Sequence, residues 1–121
     1  MSVFNCQGIF DYLDSNQKVF LNSKFKKTGV KIMPHEISGP LNISNCQAIN
    51  ILTALQAASL SENYIVVYHN CEPDYAVEYI PFEKGFPSLP WFCDNCQEQI
   101  ENIDELSFSL MAISKAPIIF T

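Results

Sequence analysis

The apolar period of this chain changes at Asn63, and that change constrains the fold more than any figure of composition. Before it, "KIMPHEISGPLNISNCQAINILTALQAASLSEN" has helical spacing. Pro34 suits a first helical turn, and Gly39 with Pro40 predicts a break. Ser44, with Gln47 three residues on, predicts an N-cap hydroxyl and a capping box that open a long helix. Along it Ile49, Leu52 and Leu55, with Ala48, Ile51 and Ala58, recur at the helical period. Helix, tight turn and helix with an apolar seam is the helix-turn-helix pattern. After Asn63, "YIVVYHNC", "YAVEYIPF" and "ELSFSLMAIS" are rich in β-branched and aromatic residues, with Leu106, Phe108 and Leu110 on one face. Turn residues separate them at Glu72-Pro73-Asp74, from Gly85 to Pro90, and at Asp94-Asn95. Two helices followed by a β-hairpin predict an α+β winged helix-turn-helix with an extended β wing.

Residues 1–31 form an N-terminal segment of helix plus irregular arm in this reading. Phe4, Ile9, Phe10 and Leu13 share one helical face, and "KVFLNSKFKKTG" is a strand pair or an arm ending at Gly29. The expected organisation is therefore 1–31 as that segment, 32–63 as the helix-turn-helix and 64–121 as the β wing. At 121 residues, 48% of them hydrophobic, the chain is expected to be one domain, or one small domain with an appendage. No apolar run approaches the roughly 20 residues of a membrane span. The amino terminus lacks a basic start followed by an apolar stretch, so no signal peptide is expected. Five cysteines, an odd number spread over the whole length, do not form a secreted disulfide framework. A cytoplasmic, reducing location follows as the expectation, with free thiols or metal ligands.

Charge is unevenly spread. Five lysines (Lys18, Lys24, Lys26, Lys27, Lys31) against Asp11 and Asp14 make residues 1–31 about +3; Lys84 and Lys115 against eleven carboxylates make the rest −9. Residues 44–61 contain no Lys or Arg. Asn45, Gln47, Asn50 and Gln56 have the side chains that read base edges, but nothing beside them neutralises phosphate. Nucleic acid is not the expected partner; a DNA-binding transcription regulator stands as an alternative. The four glycines form no phosphate cradle, and His35 with Cys46 has no spacing that compels a catalytic pair. The chain reads as non-enzymatic.

The sharpest local signal is "WFCDNC". Cys93 and Cys96 form a C-x-x-C knuckle, half of a tetrahedral zinc site. Cys71 supplies a third thiolate from the preceding hairpin. Asp74 occupies the spacing of a missing fourth cysteine, whereas His69, two residues before Cys71 on a strand, projects to the same side. His69 is the more usual fourth ligand and Asp74 the alternative. Beside Zn2+ stand a metal-free ribbon with three packed thiols and a reactive thiol or metal sensor at Cys93 and Cys96; Asp94 and Glu98 argue against a reactive dithiol.

The segments "NISNCQAINILTALQAASL", "YIVVYHNCEPD" and "LPWFCDNCQEQI" give the chain, from residue 32 to about 114, a resemblance to small bacterial winged-helix proteins with a zinc-ribbon-like wing. The departure from that pattern is Asp74. The resemblance implies an accessory component of a bacterial antiviral or conflict system, encoded beside an effector. Tyr64, Tyr68, Tyr75, Tyr79, Phe86, Trp91 and Phe92 exceed what a thin hairpin buries, which predicts a protein interface, with a homodimer compatible. "APIIFT" is expected to extend that patch or to add a strand to an edge.

Overall fold

Ser44 caps the longest helix as its sequence predicts. Its hydroxyl accepts from Gln47 N and the Gln47 side chain accepts from Ser44 N, both at 3.0 Å. The computed structural model describes residues 2–6 and 8–121. Those residues form a mixed α+β chain that divides into two units, residues 1–63 with 111–121 and residues 64–110.

The first unit opens with β1 (Ser2–Phe4) and α1 (Ser15–Lys24). Here the structure reverses the expected order, because the helix lies after Leu13 and Phe4 is in a strand. Asp14 and Gln17 form a reciprocal capping box, each bond 2.8 Å, which starts α1 where the sequence reading placed an arm. Phe4 is held by a partner from the far end of the chain. β8 (Ile118–Phe120) runs parallel to β1 with Phe4 opposite Phe120, and Phe25 packs on Phe120 at 5.6 Å between ring centroids. "APIIF" therefore adds its strand to this chain's own N-terminus, and residues 111–121 belong with the helices.

β2 (Lys31–Ile32) precedes α2 (His35–Leu41) and α3 (Asn45–Ala57). Gly39 and Pro40 lie inside α2, and the break comes at Asn42, which takes the left-handed conformation at φ 54°. The N–H of Ile43 returns to Ser38 O and that of Asn42 to Gly39 O, so the terminal carbonyls are satisfied two residues later than the glycine and proline suggest. α3 buries Ala48, Ile51, Leu52 and Leu55; Ile49 and Ala58 lie outside the seam. Below it, buried Asn63 donates to Leu52 O and accepts from the Ser61 hydroxyl, so this polar group inside the core is paired.

The second unit is built on β3 (Ser61–His69, entering it at Tyr64), β4 (Ala76–Pro81), β5 (Trp91–Phe92), β6 (Gln99–Ile100) and β7 (Leu106–Ser114, as far as Leu110). β3 and β4 are antiparallel. Val67 lies opposite Glu78 and Tyr68 opposite Ala76, so Val77 is the extra residue of a β-bulge. Strand order is β2-β7-β3-β4, with β5 and β6 a separate pair. The core joins Val67, Trp91, Cys93, Ile100 and Leu106, with Val77, Ile80, Cys96 and Phe108 packed on it. Among the described residues, no helix is long and apolar enough to cross a membrane.

Candidate metal centre

Alternation along β3 positions the first half of the site. Side chains two apart share a face, so His69 lies on the side of Val67, a core residue, and is buried. The turn that follows is closed by Glu72 N donating to His69 O at 3.2 Å and Tyr75 N to Glu72 O at 3.1 Å, and it carries Cys71. The second half comes from the β5–β6 hairpin, in which Trp91 pairs with Ile100 and Phe92 with Gln99. Inside it, Cys93 N donates to Glu98 O and Gln97 N donates to Cys93 O. Gln97 closes this knuckle in the left-handed region at φ 64°, where a side chain other than glycine costs about 1–2 kcal/mol.

These two turns bring one donor atom from each of His69, Cys71, Cys93 and Cys96 within 4.8 Å of one another. Cys71 Sγ stands 3.8 Å from Cys93 Sγ, and Cys96 Sγ stands 3.5 Å from His69 Nδ1. With Zn–S bonds of about 2.3 Å and Zn–N of about 2.0–2.1 Å at tetrahedral angles, two sulfurs should lie about 3.8 Å apart and a sulfur and a nitrogen about 3.5 Å apart. Both measured edges match. A disulfide, at about 2.05 Å, is ruled out for the Cys71–Cys93 pair in this geometry. Asp74 is exposed and is not one of the clustered residues. The residues present therefore fit a tetrahedral cation, with His69 as the fourth donor.

The electrostatics separate the thiols. Burial pushes Cys93 up, but the N–H groups of Cys96 and Asn95, with the thiols of Cys96 and Cys71, outweigh it and hold Cys93 below the usual thiol range. Desolvation, then hydrogen bonds to Cys96 and Cys93, push Cys71 up to about 12. A divalent ion would offset two of the three negative charges that Cys71, Cys93 and Cys96 carry as thiolate ligands. His69 Nε2 is buried with no hydrogen-bond partner among the described residues. The polar contact that orients the ring is thus on its Nδ1 side, toward the sulfurs.

The expected interface residues separate into two groups. Trp91 is only 8% exposed and belongs to the core, its Nε1 donating to Glu78 Oε1 at 2.8 Å. Glu78 was not among the residues read from the sequence; a carboxylate between Val77 and Tyr79 on a strand is the signal that marks it. Tyr64 and Tyr68 are half-buried. Tyr75, Tyr79, Phe86 and Phe92 are exposed, from 51% to 65%, and Phe86 meets Phe108 edge-on at 4.9 Å. His35 and Cys46 are both exposed, and no hydrogen bond joins them among the described residues.

The chain thus defines an α+β protein with a three-cysteine, one-histidine donor cluster. No family model, curated protein or solved structure matches it.

Proposed function

We propose that this chain is a non-enzymatic protein-binding module, an adaptor or regulatory subunit, whose second unit is a zinc-ribbon-like wing held by one Zn2+ on His69, Cys71, Cys93 and Cys96. The observation that carries the reading is the four-donor cluster, two of whose edges have tetrahedral lengths. Four protein ligands leave no open position for water or substrate, which is the arrangement of a structural site and not of a hydrolytic one. The bound ion would supply a cross-link between two turns. His69 and Cys71 would anchor the β3 end, and Cys93 and Cys96 the β5–β6 knuckle.

In this reading α2 and α3 are the helix-turn-helix of a winged helix, and exposed Tyr75, Tyr79, Phe86 and Phe92 form the surface offered to a partner. The resemblance to accessory proteins of bacterial antiviral systems makes the partner an effector encoded nearby, in a reducing cytoplasm where the thiols stay available. Native mass spectrometry of the protein as isolated is the test. One zinc per chain is expected, lost on chelation and in Cys93→Ser and Cys96→Ser variants. A protein that is isolated without zinc and binds none on titration with ZnCl2 would sink the metal-site part of this reading.

A further inference from the structure

β4 stands at the end of the strand order, paired with β3 on one side only. Apart from that ladder, no backbone group of Ala76–Pro81 takes part in a hydrogen bond to a loop or turn among the described residues. Glu78 and Tyr79, at the middle of the strand, are exposed. An open strand edge is a template for another strand, and proteins protect such edges with charge. Here the charge has one sign. Glu72, Asp74, Glu78 and Glu83 stand on or beside β4 against Lys84 alone, and residues 64–110 carry nine carboxylates against that one lysine, a formal −8. Glu78 spends one oxygen on Trp91, and its second oxygen has no partner among the described residues.

We infer that the β4 edge receives an extended, Lys/Arg-bearing segment of another protein by strand addition; this rests on the adaptor reading and names its partner's chemistry. Main-chain bonds to β4 would provide the affinity, and alternate side chains the selectivity. Basic residues of the incoming strand would meet the unpaired carboxylates, with their aliphatic stems and charges over Tyr75 and Tyr79. A second copy of this chain does not suit the edge, because pairing β4 with β4 would set four carboxylates against four. Nucleic acid is repelled by the same charge.

The test is an amide-resolved NMR titration of the full zinc-loaded chain with the octapeptide Lys-Val-Lys-Val-Lys-Val-Lys-Val. Shift changes and exchange protection are expected to centre on residues 76–81, with binding weakened roughly tenfold when salt is raised from low to physiological strength. A peptide of the same charge with proline at its centre should bind at least tenfold more weakly, because it cannot complete the ladder. The double variant Tyr79→Lys/Glu83→Lys should lose at least fivefold in affinity while keeping its zinc and its Trp91 fluorescence. The inference is overturned by shifts that miss β4, by equal binding of the proline peptide, or by β4 amides that become protected at high protein concentration without peptide. Zinc content is read on the same sample. A chain that holds zinc but ignores the peptide defeats only the edge, and one that lacks zinc yet binds at β4 defeats only the metal site.

Discussion

Cys71→Ala separates a metal ligand from a packed thiol. Cys71 is exposed, so if the cluster were only three neighbouring sulfurs its removal would count as a surface substitution. Such changes move the unfolding midpoint of a small domain by no more than about 4 °C. A structural zinc site supplies about 10–16 kcal/mol in small metal-dependent domains, so one ligand of four carries on the order of 3 kcal/mol. That corresponds to a midpoint shift of at least about 12 °C. The assay reads the second unit alone, because Trp91 is the only tryptophan and sits in the core formed with Cys93 and Val67. Its fluorescence should report the large shift in Cys71→Ala, with chelator lowering the midpoint of the native protein at least as far, because it removes all four bonds to the ion. Cys46→Ala, exposed but outside the cluster, is the control and should melt as the native protein does. A Cys71→Ala midpoint within about 4 °C of native, with no response to chelator, would refute the assignment.

Three further outcomes follow from local geometry. Burial first, and then the charge of Tyr79, raise the Tyr68 phenol above 10.0. A raised folded value gives stability that is complete below the ordinary phenol range and lost as pH climbs through the raised value, so phenolate absorbance should show Tyr68 ionising late, together with a drop in stability above pH 10. Ser44→Ala removes half of a capping box at α3 and should cost about 1 kcal/mol in urea unfolding. Gln97→Gly relieves the left-handed backbone of the knuckle and should stabilise the second unit by up to about 1 kcal/mol; a loss of stability would show that the Gln97 side-chain bond to Asp94 O outweighs the strain.

What was legible in the sequence was what short-range chemistry decides. Ser44 and Gln47 are three apart and cap one another whatever the rest of the chain does. His69 follows from the period of a strand and Cys93 with Cys96 from one turn, whereas Cys71, expected on the strand of His69, lies in the turn after β3. The N-terminal helix was misplaced because Phe4 takes its conformation from Phe120, a contact that no window on residues 4–13 contains. The Asp14-Gln17 box was the local signal that would have corrected it. Trp91 was read as surface because its partner, Glu78, lies on a different strand. Once the indole N–H has that carboxylate, burying the ring costs little and removes a large apolar area from water.

The second unit spans 47 residues, 64–110, near the lower size at which a hydrophobic core sustains a fold without a staple. Its fully or nearly buried apolar cluster is small, and one member is Cys93, whose environment favours the thiolate. The metal-free reading must therefore accept a marginal core, whereas a cation among His69, Cys71, Cys93 and Cys96 would staple it. That arrangement would place the cross-link between the β3 end and the β5–β6 knuckle. The unit can then be rigid enough to present an open edge without that edge having to pair within the chain for stability.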